Sequence, residues 1–464
     1  MKIMIQGTMS DAGKSVVCAA LLRALARRGL CAAPFKAQNM ANNSAVTEDG
    51  AEIGRAQMMQ AEAAGVRADA RMNPVLLKPT GESASQVIVC GRAKGTFSAC
   101  EYYARKAELL PAVLESFFSL EREFDAVVIE GAGSPVELNL AAGDFVNEGL
   151  AERLNAPVLL VGDIDRGGIF AQMHGTLSLL RDRTRVRGLL VNKFRGDLSL
   201  FKEGRRMLEE VCSVPVLGVL PAFSLDLDDE DSLSPRLARR ERGEGTDVAV
   251  VRLPHISNFT DFSPLERIFS LRYVSSAREF GAPKLVLLPG TKNTAADLAF
   301  LRASGLAEQV LAAAHRGVPV FGICGGFQML GGRILDPAGA EGGDAQGLGL
   351  LPFDTVFSPE KTVRRVSGRA EGLEGFFSCL NGAAYEGYEI HMGAGALFCG
   401  KGFAGGSYVH GLFDGEAASR LAAALGGREV RFDREAEYDR LADWLEENAD
   451  VDAIVRILRG EERG

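Results

Sequence analysis

At 464 residues the chain exceeds one ordinary domain, and two or three are expected. A hydrophobic fraction of 47% can fill substantial cores, and a net charge of −9 excludes a general nucleic-acid binder, which presents basic patches. The eight cysteines form no C-x-x-C pair, which argues against a disulfide framework or a zinc site. No apolar stretch is long enough to cross a bilayer, and the amino terminus enters a strand at once, so a soluble cytoplasmic protein without a membrane partner is expected.

Apolar runs at Lys2–Gln6, Cys31–Lys36, Ala126–Glu130, Val158–Asp163, Gly188–Asn192 and Val216–Leu220 alternate with helical patterns. Such alternation predicts a parallel sheet covered by helices on both faces, assigned to a first domain over residues 1–225. A charged, strand-poor stretch over 226–246 reads as a linker. The α/β pattern restarts at Asp247–Arg252, Leu285–Leu288 and Pro319–Ile323, continues to Tyr408–His410, and defines a second domain over 247–425. Residues 426–464 follow as a helical tail, with Tyr438, Leu441, Trp444 and Leu445 at helical spacing.

In the first domain, Gly7-Thr-Met-Ser-Asp-Ala-Gly13-Lys14-Ser15 lies between a strand and a helix, as a phosphate-binding loop does. Backbone N–H groups and the helix dipole hold phosphates, Lys14 reaches the outer ones, and Ser15 can ligate Mg²⁺. The loop is a variant, since Thr8 occupies the first glycine position of the common pattern. Glu130 ends a strand where a carboxylate can meet a phosphate-bound metal; a solvent-exposed strand end is the alternative. Asp163 and Asp165 are weaker candidates for the same task. Asn192 ends another strand and can offer its amide to an adenine edge, or simply make a turn. Gln38, Asn39, Asn42 and Asn43 concentrate amide groups that suit a substrate rich in carboxylates and amides, although such residues also form turns.

In the second domain, Cys324 follows an apolar run and precedes Gly325, Gly326 and Gln328. A nucleophile on such an elbow is exposed beside backbone N–H groups and a helix N-terminus, which favour a thiolate and bind an oxyanion. The thiol needs a base, and the chain has five histidines. His410, at the end of an apolar run, is preferred, with His391 the competitor. Gly290, in a tight turn after Leu285–Leu288, can add an N–H to the oxyanion site. A thiol that attacks an amide and a site for ATP on one chain point to glutamine-dependent, ATP-driven amide synthesis.

Gly322, Cys324, Gly326 and Gln328 match G-x-C-x-G-x-Q, and on them the second domain resembles the class I (triad) glutamine amidotransferases. The first domain is similar to the dethiobiotin synthetase group of P-loop ATPases, through the variant loop and Glu130-Gly-Ala-Gly133. Pro34-Phe-Lys-Ala-Gln-Asn-Met40, Asn73-Pro-Val-Leu-Leu-Lys78-Pro, Gln86-Val-Ile-Val, Val161-Gly-Asp-Ile-Asp-Arg-Gly-Gly168, Tyr388-Glu-Ile-His391 and His410-Gly-Leu-Phe extend the likeness over most of the chain. Together the halves resemble the cobyric acid branch of the cobalamin-biosynthetic amidotransferases.

That resemblance implies amidation of carboxylates b, d, e and g of adenosylcobyrinic acid a,c-diamide, with ATP and Mg²⁺ and with glutamine as nitrogen donor. It implies Cys324 as nucleophile, His410 as base, and Lys14, Ser15 and Glu130 for ATP and Mg²⁺, while the likeness to the dethiobiotin synthetase group implies Glu52 as a further metal ligand. It places Gly325 and Gln328 with Gly290 at the glutamine site. Most triad amidotransferases carry a glutamate two residues after the histidine. Leu412 stands there in this chain, so the third member is unassigned and Asp414 is the candidate. An earlier-acting relative that makes the a,c-diamide shares this chemistry, whereas a partition-type switch ATPase shares only the loop.

Overall fold

Six short apolar runs of the N-terminal half pair as one all-parallel sheet in the order Val216–Pro221, Val186–Phe194, Val158–Asp163, Lys2–Gly7, Ala126–Glu130, Ala32–Phe35. The computed structural model describes residues 1–80, 84–140, 143–223, 245–337, 339, 343–427 and 433–461. Apart from its last two residues, the linker expected over 226–246 lies outside them. The strands are near-continuous in apolar residues because helices cover both faces. Register brings their carboxyl ends to one edge: Ile5 pairs with Glu130, Gly7 with Val161, and Asp163 with Asn192. This is the edge at which open α/β sheets bind ligands.

Between Ala32–Phe35 and Ala126–Glu130 the chain builds a second, smaller sheet from Gln38–Met40, Val75–Pro79, Ala84–Val89 and Arg92–Ser98. A two-stranded pair, Ser44–Val46 with Glu52–Gly54, leads into the helix Arg55–Ala63.

The C-terminal domain holds a sheet in the order Ser270–Val274, Asp247–Val251, Leu285–Leu288, Val320–Ile323, Ala404–Ser407, Phe398–Lys401. Only the last pair is antiparallel. The strand expected at Tyr408–His410 is instead Ala404–Ser407, one step earlier. Its Gly406 disguised it: a Cβ there would lie 2.3 Å from Phe327 and 2.7 Å from the Gly322 carbonyl, so close packing demands a residue of low strand propensity. A long hairpin, Thr355–Arg369 with Ala384–Ala394, stands beside this sheet.

The tail forms helices Arg434–Asn448 and Val451–Arg459, which return to the N-terminal domain. Trp444 Nε1 donates to the Pro221 carbonyl at 3.0 Å, and Arg23 meets Asp439 at 2.8 Å. The two domains also touch near their ligand edges. Ser44 N donates to Asn258 Oδ1 at 3.2 Å, Tyr388 Oη donates to the Ser44 carbonyl at 2.9 Å, and Lys361 meets Glu52 at 2.6 Å. Among the described residues no helix is long and apolar enough to cross a membrane.

Candidate active site

The phosphate loop is held from several sides. Lys14 starts the helix Lys14–Arg27 and folds its ammonium back over the loop, donating to the Met9 and Gly133 carbonyls at 3.1 Å each. Burial pulls its pKa below the ordinary lysine value, against the opposing pull of Glu130. Ser15 Oγ donates to Glu130 Oε1 at 2.8 Å, and Lys36 Nζ reaches the same oxygen at 2.9 Å. Gln60 Nε2 donates to the other carboxylate oxygen at 2.6 Å. Burial alone would raise the Glu130 carboxyl, but Lys36 and these hydrogen bonds outweigh it and keep it below the usual range. An ionised carboxylate beside a serine hydroxyl is a pair of hard oxygen donors, the type of set that suits Mg²⁺.

The Asn192 amide donates to the Ala12 carbonyl at 2.9 Å and so buttresses the phosphate loop. Asp163 pairs with Lys193 and Asp165 with Arg195. Glu52 is not a partner of the loop: Ser44 and Lys78 donate to one of its oxygens and Lys361 to the other. Those contacts engage both carboxylate oxygens. The amide segment is largely engaged within the fold. Tyr102 donates to Gln38 Oε1, Asn39 Nδ2 donates to Gln57 at 2.9 Å, and Asn43 is buried. Asn42 keeps a buried side-chain oxygen without a hydrogen-bond partner.

At the other site, Cys324 joins the strand Val320–Ile323 to the helix Gly325–Leu330 with φ 51° and ψ −111°. A non-glycine residue held there costs on the order of 1–3 kcal/mol, and such strain concentrates at functional sites. The neighbouring glycines let the elbow close: a Cβ on Gly326 would lie 2.2 Å from the Leu288 carbonyl. The Cys324 thiol points to the Ile390 carbonyl at 3.4 Å and lines one cavity with His410.

His410 Nδ1 lies 2.7 Å from Asp261 Oδ2, and the other carboxylate oxygen accepts from Gly411 N at 2.9 Å. Asp261 therefore occupies the third position, while Asp414 lies 3.8 Å from Arg434 instead. Holding Nδ1 leaves Nε2 for the thiol and fixes the ring's orientation. Burial pulls the His410 pKa down, but Asp261 and Cys324 outweigh it and push it up to about 10. The site thus favours an imidazolium, the partner that a thiolate needs. Tyr388 stacks on the His410 ring at 5.2 Å between centroids.

His391 lines the same cavity, but its nitrogens are taken by the Gly393 carbonyl at 2.6 Å and Glu389 at 2.9 Å. Gly290 passes against the histidine, where a Cβ would stand 3.4 Å from His410 Cε1. Gln328 Oε1 accepts from Thr294 at 3.1 Å, which pins the helix that follows the nucleophile. Gly325 opens that helix, and a Cβ on it would meet Thr291 at 2.5 Å. Asp261, Gln60 and Lys361 escaped the sequence reading, whereas Lys36, Lys78 and Tyr388 stood in its motifs without a role. Asp261 had one signal: a carboxylate between Phe259 and Phe262 that will be buried needs a partner.

These two sites define a nucleotide-using glutamine amidotransferase. Residues 3–231 match the CobQ/CobB/MinD/ParA nucleotide binding domain, and residues 247–418 match the CobB/CobQ-like glutamine amidotransferase domain. The whole chain aligns at 48% identity with 98% of a cobyric acid synthase from Ruminiclostridium cellulolyticum. A cobyric acid synthase from Yersinia enterocolitica is 45% identical over 99% of this chain and 98% of its own length. One from Lachnoclostridium phytofermentans is 44% identical over 98% of each. The chain belongs to the cobyric acid synthase family, whose members are glutamine-dependent amide ligases.

Proposed function

We propose that this chain amidates carboxylates b, d, e and g of adenosylcobyrinic acid a,c-diamide to give adenosylcobyric acid, using ATP and nitrogen from glutamine. The observation that carries the glutaminase half is the His410–Asp261 pair, whose imidazole shares with Cys324 a cavity lined in part by Lys78 of the N-terminal domain. The Cys324 thiolate attacks the side-chain carbonyl carbon of glutamine. His410 gives its proton to the departing nitrogen, releasing ammonia and leaving a glutamyl thioester. His410 then takes a proton from water as the water attacks the thioester, freeing glutamate and the thiol. Backbone N–H groups at Gly290 and Gly325 serve the oxyanion.

On the N-terminal domain, a substrate carboxylate attacks the γ-phosphorus of ATP, giving ADP and an acyl phosphate. Ammonia displaces phosphate from that carbonyl and forms the amide. Lys14 and the loop N–H groups bind the phosphates. Ser15 and Glu130 would hold Mg²⁺, which when bound neutralises charge on the phosphates. Ammonia passes between the domains without meeting bulk water, where protonation would remove its nucleophilicity.

Mass spectrometry of the corrinoid after incubation with protein, MgATP and glutamine tests this reading. A ladder ending in four added amides on the a,c-diamide is expected. Conversion of only the earlier cobyrinic acid would move the chain to the diamide-forming step. No change in either, with ATP and glutamine still consumed, would overturn the substrate assignment.

A further inference from the structure

Three lysines beside the thiol have no part in the steps above. Lys78 comes from the strand Val75–Pro79, Lys292 from the turn after Leu285–Leu288, and Lys361 from the hairpin strand Thr355–Arg369. All three line the cavity that also exposes Cys324, His410, Asn258 and Gln328. Glu52 lies among them. Burial would raise its carboxyl, but Lys361, Lys78 and Lys292 outweigh burial and hold it well below the usual range. Its contacts are divided unequally. Lys78 and Lys361 each pair with it directly, whereas Lys292 acts on it only at longer range. Among the described residues, no carboxylate lies within ion-pair distance of Lys292.

The position of Lys292 is fixed by its turn. Its N–H donates to the His255 carbonyl at 3.0 Å, and Asn293 N donates to Thr291 Oγ1 at 3.1 Å. Thr291 donates in turn to Asp297, a fully buried carboxylate that also meets His255 Nδ1 at 2.7 Å. The same turn carries Gly290 against the catalytic imidazole. One pinned turn therefore sets a backbone segment beside His410 and a cation in the cavity. Lys292 is half-buried and, among the described residues, makes no direct ion pair, so its ammonium is available to a ligand carboxylate through charge-assisted hydrogen bonds.

We propose that Lys292 is the specificity residue of the thiol site, its ammonium pairing with the α-carboxylate of glutamine and thereby excluding amides that lack one. This rests on the reading of Cys324 as the glutamine nucleophile. The open space beside the thiol is about 30 Å³, room for about one water. Glutamine therefore enters as the Lys292 side chain turns aside, and the Lys292 charge moves onto the carboxylate. Lys78 and Lys361 stay with Glu52 and close the side of the cavity that faces the N-terminal domain. A site that pairs a charged group of its substrate discriminates strongly against an analogue without that group, because its own charge is then left uncompensated.

The test uses the full-length enzyme with glutamine and with 4-aminobutanamide, which is glutamine without the α-carboxylate. Ammonia release gives kcat and KM for both amides in the wild type, Lys292→Met and Lys292→Arg. The ratio of kcat/KM for glutamine to that for the analogue is expected to fall about 100-fold in Lys292→Met, mainly through the KM for glutamine. Lys292→Arg is expected to restore most of that ratio. An unchanged ratio in Lys292→Met, or an equal loss of kcat on both amides, would overturn the proposal, since either makes Lys292 a structural residue. If the wild type releases ammonia from neither amide, the Cys324 reading fails and this inference fails with it.

Discussion

The phosphate site and the thiol site are assembled in opposite ways. The first rests on local chain and sheet topology: Gly13, Lys14 and Ser15 are consecutive, and Glu130 and Asn192 arrive at the same edge because parallel strands end there. The second gathers Asp261, Cys324, Tyr388 and His410 from separate elements, and its cavity takes Lys78 from the other domain. A site made of backbone and sheet edge depends little on how the domains dock. A site made of distant side chains depends on the complete tertiary fold. Damage at the domain contact should therefore reach the thiol first.

The largest effect expected is at the orienting carboxylate. Asp261→Asn should lower glutamine hydrolysis by about 10²–10⁴-fold, the range of general acid–base catalysis, while Asp414→Asn changes it by less than about threefold. Steady-state ammonia release checks both, and a larger loss in Asp414→Asn would reverse the assignment of the third member. Next comes the phosphate loop. Lys14→Ala should reduce amide synthesis by roughly 10²–10³-fold with glutamine and with ammonium alike, as expected for loss of one preorganised charge at the transferring group. Synthesis from ammonium that survived this change would remove Lys14 from the synthetase half.

The pair His410–Asp261 also gives a pH signature. The folded pKa of about 10 lies above the ordinary histidine value, so folding favours the protonated ring. Its stabilising contribution is complete below about pH 6.5 and is lost as the pH rises through about 10. Denaturant unfolding of the wild type and Asp261→Asn should differ by roughly 3–5 kcal/mol at pH 6 and converge at high pH. A difference that grows with pH would contradict the assignment. The smallest effect belongs to Tyr388→Phe, which keeps the ring on His410 but removes its hydroxyl from the Ser44 carbonyl. It should cost about 1 kcal/mol in thermal unfolding and leave ammonium-dependent synthesis intact.

Legibility in the sequence followed the same division. The strands Ala126–Glu130, Val158–Asp163 and Leu285–Leu288 were readable to the residue because each is a short, uninterrupted apolar run. The phosphate loop and the cysteine elbow were readable because glycine, lysine and the nucleophile sit together on the chain. Ala404–Ser407 was missed because close packing against Phe327 imposes a glycine where strand propensity would place a branched residue. Asp261 was missed because 149 residues separate it from His410. The surroundings of Glu52 were hidden for a related reason: its partners Lys78 and Lys361 come from separate strands, and only folding brings their charges to its carboxylate.

The division of labour between the two sites is tested most directly by Cys324→Ala, assayed for corrinoid amidation with glutamine and, separately, with an ammonium salt. The account predicts no product from glutamine and continued synthesis from ammonium, because ATP-dependent activation remains on the other domain. Loss of synthesis from both nitrogen sources, or continued use of glutamine, would contradict it.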